Sequence, residues 1–225
     1  MTDRSSWAAW PSCHHGFSPA VRRISRMAAV IATAGVAFGG SPPAASAFGT
    51  NLPCRTRSTG AVFSRWLDPA QYFPASNGGF ERGSKDWSLN PAAAVVAGNE
   101  RYQVGRSAGS HSLSLGTGGV AESRTACVTM GEPTVRLFVN TPQALGATLT
   151  ITTTVRNPTT GVSLTTAYVV AGGVTPTGWA PTPQIVIPNL LGGFLDEELT
   201  VRITTGGTPA DWGIDDVYVD PYKQR

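Results

Sequence analysis

The stretch ATLTITTTVRN, residues 147–157, alternates apolar and polar side chains with a period of two. Successive side chains of a strand point to opposite faces of a sheet, so every second residue shares a face. One face then carries Leu149, Ile151, Thr153 and Val155, and the other carries a ladder of four threonines. β-Branched residues are enriched in strands because they pack well on a pleated surface. The stretch is therefore predicted to be a half-buried antiparallel strand.

The same alternation recurs along the chain after residue 70, where a helical pattern is nearly absent. Clusters of Gly, Asn and Pro separate the alternating runs and mark turns. About eight short strands at this spacing predict an all-β fold over residues 77–225, a two-sheet antiparallel β-sandwich with jelly-roll topology. The further runs are SHSLSLG (110–116), VAESRTACVTM (120–130), TVRLFVN (134–140), VSLTTAYVV (162–170) and ELTVRITT (198–205).

The chain begins with a pattern typical of a secretory signal peptide. A basic segment, an apolar run and a small-x-small triplet follow one another over residues 21–47. We expect cleavage after Ala47 and export of the remaining chain. Residues 1–20 fit no usual leader, so translation is expected to start at Val21 or Met27 instead.

Charge is balanced once this leader is set aside. The whole chain has 17 Lys and Arg against 14 Asp and Glu. Four of the basic residues and one of the acids lie in residues 1–47, which leaves thirteen of each sign. A neutral chain offers no basic surface to nucleic acid or to an anionic membrane, so neither partner is expected. No later apolar run approaches the length of about eighteen residues that a membrane-spanning helix needs.

Two cysteines remain after the leader, Cys54 and Cys127. An even pair in an exported chain favours a disulfide, because disulfides form and persist in oxidising compartments. The alternative is a pair of buried free thiols. A bridge would join an N-terminal arm, residues 48–76, to the sandwich, and closing a loop of this length would stabilise the fold by about 4 kcal/mol.

Near the C-terminus, DWGIDDVYVDPY (211–222) places two adjacent carboxylates, Asp215 and Asp216, inside an apolar strand. A buried, unpaired charge is costly, so these carboxylates need a partner. Strand alternation is expected to send the two side chains to opposite faces, and parity with Val217 and Val219 favours Asp215 as the inward one. In one interpretation, one aspartate accepts backbone N–H bonds and the other is solvated.

Short motifs in a fixed order resemble the carbohydrate-binding-module jelly rolls of the galactose-binding-like superfold. The motifs are NGGFE (77–81), Trp87, SLSL (112–115) and WGIDDV (212–217). Cys54, a DPAQY segment, Cys127 and the WGIDDVYVDPY end also resemble a group of secreted actinobacterial proteins. The resemblance implies a sandwich fold and a binding function, and the inference of function from fold is one of analogy.

In modules of this superfold, a structural calcium lies where the NGGFE segment meets the last strand. The matching acidic positions are Glu81 with Asp215 or Asp216, so the resemblance implies a calcium site built from these residues. Calcium takes six to eight oxygen ligands, and it would neutralise a carboxylate held beside apolar neighbours.

Aromatic residues are the candidate ligand contacts, because Trp and Tyr combine a large apolar ring with a polar group, and sugar rings stack on such faces when they are exposed. Trp87 and Trp212 match positions that pack inside related sandwiches, so they are predicted to be core residues. Tyr102 and Trp179 lie in loop-like surroundings, GNERYQVG and TPTGWAPTP, and are the candidates for an exposed ligand-binding face.

Enzyme signatures are missing from the sequence. Walker, dinucleotide-binding, HExxH and nucleophile-elbow patterns are absent, and His111 is the only histidine after the leader. Neighbouring strand carboxylates that point apart cannot form the facing pair of a glycoside hydrolase. The leading expectation is a secreted, non-catalytic module that binds an extracellular or cell-wall glycan. A structural or protein-interaction module of the cell surface is the alternative, and an unrecognised hydrolase ranks third.

Overall fold

The computed structural model describes residues 54, 57–104, 109–129, 131–173, 177–188 and 196–220. All of them belong to one compact unit, Ser46–Arg225. The predicted leader, its cleavage point and the translation start lie outside the described residues and stay predictions. Within the described ranges, no helix has the length and apolar character needed to cross a membrane.

Strands dominate this unit, and a short 3-10 helix, Ser64–Trp66, lies in the N-terminal arm. The described residues form thirteen strands. They are β1 (Phe73–Pro74), β2 (Trp87–Leu89), β3 (Ala93–Ala97), β4 (His111–Leu115), β5 (Val120–Ser123), β6 (Ala126–Val128), β7 (Thr134–Thr141), β8 (Ala147–Arg156), β9 (Ser163–Ala171), β10 (Gly178–Pro181), β11 (Ile185–Val186), β12 (Glu197–Gly207) and β13 (Trp212–Asp220).

The strands pair into two antiparallel sheets. The first sheet has the order β10, β7, β13, β4, β3, with β1 added to β13 and β11 added to β7. The second has the order β2, β5, β12, β8, β9, with β6 added to β12. The chain passes repeatedly between the sheets, for example from β6 to β7 and from β7 to β8, as in a jelly roll. The predicted two-sheet β-sandwich is confirmed.

The core follows from the alternation in the strands. Buried and partly exposed residues alternate along most of β8 and β12. Leu149 and Ile151 of β8 and Ile203 of β12 are 0% exposed, and each buried side chain of this size stabilises the fold by roughly 1.5–3 kcal/mol. Trp87 and Trp212 also belong to the core, as predicted. The two sheets therefore bury one shared apolar layer.

The N-terminal arm packs against the sandwich. The predicted disulfide between Cys54 and Cys127 is present and ties the arm to β6, with 5.4 Å between the two Cα atoms. Phe63 of the arm is fully buried in an aromatic cluster with Phe138 and Tyr218 of the first sheet. Since the neighbours of Phe138 along β7 point into the core, this cluster lies on the opposite, outer face of the first sheet. The arm thus covers part of that outer face.

Candidate functional site

A row of aligned residues crosses the outer face of the first sheet. Trp179 on β10 is paired with Asn140 on β7, which is paired in turn with Gly213 on β13. Gly213 is paired with Ser114 on β4, and Ser114 with Ala94 on β3. The residues beyond Asn140 in this row are all small, so the surface of the sheet is recessed next to Trp179.

Gly213 allows the indole of Trp179 to lie against the sheet. A Cβ atom at position 213 would lie 3.0 Å from the Trp179 ring and 2.9 Å from Cβ of Asn140, so any side chain there would displace one of them. A groove of about 270 Å³ lies beside the ring. We call it the Trp179 groove, and its lining includes Asn99, Ser112, Ser114, Asn140, Trp179 and Asp211.

Several polar side chains in the Trp179 groove form no hydrogen bond with the described part of the chain. Ser112 is only 5% exposed, and its hydroxyl forms no hydrogen bond with the described residues. The side chains of Asn140, Ser114 and Asp211 likewise have no described partner. Buried polar groups are normally hydrogen-bonded. The groove is therefore suited to a ligand that supplies donors and acceptors.

The aromatic cluster of the arm lies next to the groove and includes Tyr102. The Tyr102 ring contacts Trp66 and Phe138, with centroids 5.0 Å and 5.7 Å apart. Its hydroxyl donates a 3.0 Å hydrogen bond to the backbone carbonyl of Trp179. The structure thus brings the two predicted ligand residues together. Trp179 lines the groove, whereas Tyr102 packs in the cluster and holds the strand that carries Trp179.

The last strand contains a β-bulge at its acidic residues. The register of β13 against β7 shifts between Asp215 and Tyr218, and Asp216 has a left-handed φ of 50°. Before the bulge Ile214 points into the core, and after it Val217 does so. A bulge inserts one extra residue and interrupts strand alternation, so the inward residues change from even to odd numbers.

The bulge makes the predicted orientation of the two aspartates wrong. Asp215 is paired with Phe138 and so lies on the outer face, instead of the sandwich interior. It is nevertheless 0% exposed, because the backbone N–H of Glu100 covers it and donates a 3.0 Å hydrogen bond to its Oδ2. Asp216 does not point to the opposite face. Both aspartates line one cavity of about 710 Å³, which we call the acidic cavity.

Burial and neighbouring carboxylates raise the pKa of both aspartates at the acidic cavity. Burial, helped by the carboxylates of Asp216 and Glu100, raises the pKa of Asp215 to about 8. Burial, helped by Glu100 and Glu81, raises the pKa of Asp216 to about 7. Both values lie well above the ordinary value for aspartate. The cluster therefore either holds protons near neutral pH or carries negative charge that attracts a cation.

Glu81 belongs to the same cavity and is held by the start of β4. Its Oε1 accepts the backbone N–H groups of Ser110 at 2.7 Å and His111 at 2.8 Å. The Ser110 hydroxyl donates to Oε2 at 2.9 Å. His111 Nδ1 lies 2.9 Å from the Ser110 hydroxyl and 3.3 Å from Glu81 Oε2. The same ring nitrogen of His111 thus faces both the Ser110 hydroxyl and the Glu81 carboxylate. In a catalytic triad the two nitrogens of the histidine bond the nucleophile and the acid separately, so these three residues do not form one.

The NGGFE segment closes over the bulge. The carbonyl of Gly78 accepts the N–H of Val217 at 3.1 Å, and a Cβ atom at position 78 would lie 2.5 Å from the Val217 carbonyl oxygen. Only glycine allows this approach. A Cβ atom on Gly79 would lie 3.1 Å from Asp216 Oδ1. The segment therefore brings its own backbone up to the aspartates.

Oxygen donors of the kind that calcium prefers surround the acidic cavity. Glu81, Asp215 and Asp216, the three predicted metal ligands, all line this one cavity. Among the described residues, no three carboxylates place their oxygens within 4.8 Å of one another. The donor chemistry fits calcium, and a complete coordination shell would also need backbone carbonyls or water.

Glu100, Asn140 and Ser112 were missed by reasoning from the sequence. Glu100 is 1% exposed, and its carboxylate accepts the backbone N–H groups of Tyr102 and Val104. A glutamate in the polar stretch GNERYQ carries no sequence signal of burial. The orientation of Ser112 and Asn140 could have been predicted. Each lies next to an apolar residue in an alternating run, SHSLSLG or TVRLFVN, so its side chain is expected on the outer face of the strand.

Comparisons with known proteins find only distant structural similarity. No protein-family model and no curated protein matches the chain significantly. Similar solved structures include TmCBM61 in complex with β-1,4-galactotriose, at 19% identity and a TM-score of 0.40, covering 65% of this chain and 96% of that one.

Two further similar structures are also carbohydrate-binding modules. The C-terminal family 22 module of Clostridium thermocellum Xyn10B has 18% identity and a TM-score of 0.40, covering 68% of this chain and 99% of that one. A family 28 module specific for non-crystalline cellulose has 13% identity and a TM-score of 0.41, covering 65% and 94%. Similarity at this level assigns no ligand to the chain.

Proposed function

We propose that this protein is a secreted, non-catalytic module that binds an extracellular or cell-wall glycan in the Trp179 groove. The observation that carries the proposal is a half-buried indole beside polar side chains that have no described partner. A carbohydrate has the matching chemistry, since its ring offers an apolar C–H face and its hydroxyls donate and accept hydrogen bonds. The disulfide supports export, because such bridges persist in oxidising compartments.

The row across the sheet indicates how much of a glycan the groove would contact. Neighbouring strands lie about 4.8 Å apart, so the three steps from Trp179 to Ser114 span about 14 Å. A sugar ring on the indole would have Asn140 beside it. Because the indole covers Gly213, the next unit would lie beyond the ring, over Ser114. We therefore expect a short oligosaccharide segment to bind better than a monosaccharide.

Replacing Trp179 by alanine is expected to weaken glycan binding at least tenfold, because buried aromatic anchors carry most of the energy of a binding site. A glycan array of plant and bacterial polysaccharides identifies the ligand, and titration calorimetry compares the variants. Thr165→Ala, an exposed substitution on the second sheet, is the control and should bind like the wild type. Array hits that Trp179→Ala retains would contradict the proposal. If the protein binds no glycan on the array, the alternative function, a protein-interaction module, would be favoured instead.

We also propose that Glu81, Asp215 and Asp216 hold a calcium ion at the acidic cavity. The proposal is supported by the raised pKa values of the two aspartates and by the close approach of Gly79 to Asp216. A bound calcium ion would neutralise carboxylates that repel one another. Because Glu81 belongs to the NGGFE segment and the two aspartates lie at the bulge of β13, a shared ion would link these two parts of the chain.

The calcium proposal predicts a specific dependence of stability on pH. With the pKa of Asp215 at about 8 and that of Asp216 at about 7, the folded protein keeps protons that the unfolded chain releases near pH 4. Without calcium, the free energy of unfolding therefore falls as pH rises from about 4 to about 8. Calcium binds the deprotonated carboxylates, so it should raise the melting temperature by several degrees at about pH 8 and little at about pH 5.

Thermal unfolding in chelator and in millimolar calcium, at both pH values, checks this prediction. Asp215→Asn with Asp216→Asn should remove both the pH dependence and the calcium effect. Glu122→Gln removes an acid on the second sheet together with its surface ion pair to Arg202. It is the matched control and should keep the wild-type responses to pH and calcium, since an exposed ion pair contributes only about 0–1 kcal/mol. A calcium effect of equal size at both pH values, or none at pH 8, would rule out this site.

Binding is favoured over catalysis by the way the carboxylates are engaged. The two oxygens of Asp215 accept the backbone N–H groups of Glu100 and Asp216, at 3.0 Å and 2.8 Å. Glu81 is held by the backbone N–H groups of residues 110–111. Carboxylates fixed in this way organise the loops around the cavity. The oxygens of Asp215 and Glu81 are thus occupied by the protein's own backbone N–H groups.

A further inference from the structure

Asp211 is the one charged side chain among the described residues that line the Trp179 groove. It is exposed, and it forms no hydrogen bond or ion pair with the described part of the chain. Asp211 directly precedes β13 and lines the groove together with Ser114 and Trp179. Its carboxylate is therefore available to a ligand that lies in the groove beside the indole.

The other carboxylates near the groove are buried, and Asp215 keeps its proton near neutral pH because its pKa is raised to about 8. Asp215 lies two residues beyond Gly213 on the same face, and Glu100 follows directly after the lining residue Asn99. No Lys or Arg belongs to the described lining. Arg101 lies over the ring of Tyr102, at 5.3 Å from its centroid, and is not part of the lining. The described lining of the groove thus carries one negative charge, that of Asp211, and no positive charge.

We infer that Asp211 makes the Trp179 groove selective for glycans that carry no acidic groups. This inference rests on the proposed function, since it assigns a ligand class to the same site. A carboxylate accepts hydrogen bonds from sugar hydroxyls, and bonds to a charged acceptor are stronger than those between neutral groups. The same carboxylate repels uronic acids and sulfated or phosphorylated sugars. Amino sugars, which carry positive charge, are attracted.

The test compares neutral, amino-substituted and uronic-acid oligosaccharides of equal length on the wild type and on Asp211→Asn. The wild type should bind uronic-acid ligands at least fivefold more weakly than neutral ligands, the effect expected for like charges about 4 Å apart in water. Asp211→Asn should reduce that ratio about fivefold. The ratio should also shrink at high salt, which screens exposed charges. Glu122→Gln, on the other sheet, should leave the ratio unchanged.

The outcomes separate this inference from the proposed function. Neutral or amino-substituted ligands that bind through Trp179, with acidic ligands excluded only while Asp211 is present, support both. A preference for acidic ligands, or a ratio that Asp211→Asn does not change, overturns the role of Asp211 and leaves the groove as a glycan site. Failure of every ligand class to bind overturns the proposed function itself.

Discussion

Replacing Phe63 by alanine is expected to lower the free energy of unfolding by about 3–5 kcal/mol. Phe63 is 0% exposed and packs most closely against three other aromatic rings. Its centroid lies 4.8 Å from that of Tyr72, 5.6 Å from Phe138 and 5.7 Å from Tyr218. The guanidinium of Arg136 lies 4.3 Å from the ring centroid. Alanine would leave a cavity and remove all four contacts.

The loss should lower the melting temperature by about 10 °C, since 1 kcal/mol corresponds to about 2–4 °C in a domain of this size. Phe63→Leu is the matched control, because it keeps most of the buried volume, and it should cost less than about 1.5 kcal/mol. Thermal and urea unfolding measure both variants. If Phe63→Ala has the same melting temperature as the wild type, the arm does not pack on the outer face as described.

Removing the disulfide, by Cys54→Ser with Cys127→Ser, is expected to lower the free energy of unfolding by about 4 kcal/mol. The bridge joins residues 73 positions apart, and a cross-link over a loop of this length restricts the unfolded chain. In the folded state it also fixes the segment from which Arg57 donates to the carbonyl of Cys127 and covers the ring of Phe73.

Thermal unfolding with and without reductant provides the control for the disulfide variant. Reductant should lower the melting temperature of the wild type to that of the double serine variant, and it should leave the variant unchanged. A variant that melts with the oxidised wild type would show that the bridge contributes nothing to stability. Two free thiols in the denatured, unreduced wild type would show that it does not form.

Strand alternation was sufficient to predict the sandwich, because burial in a two-sheet fold follows each strand directly. Leu149 and Ile151 were predicted to face inward, and both are fully buried. The pairing of Cys54 with Cys127 followed from there being two cysteines after the leader. These features depend on the residue types and on the alternation of apolar and polar residues along each strand, and both can be seen in the sequence.

The bulge in β13 could not be predicted in the same way. No residue in WGIDDVYVD marks where an extra position enters the strand, and one inserted residue reverses the parity of everything after it. Aspartate tolerates the left-handed conformation better than most residues, which is consistent with the φ of 50° at Asp216. That tolerance permits a bulge without requiring one. The orientation of Asp215 was therefore wrong.

The Trp179 groove could not be predicted from the sequence either, because it depends on the register between strands that are distant in the chain. Parity shows which face of its own strand Asn140 or Ser114 occupies. It does not show that both residues align with Trp179 across Gly213. The packing of the arm on the same face likewise depends on long-range contacts of Phe63.

The position of a bound glycan on the protein shows whether the Trp179 groove is the binding site. An oligosaccharide that binds on the array should be titrated into isotopically labelled protein and followed by nuclear magnetic resonance. We expect saturable shifts of the Trp179 indole N–H and of the backbone N–H groups of Asn140 and Ser114. Shifts confined to the Thr-rich outer face of the second sheet, with the Trp179 signal unmoved, would contradict this expectation.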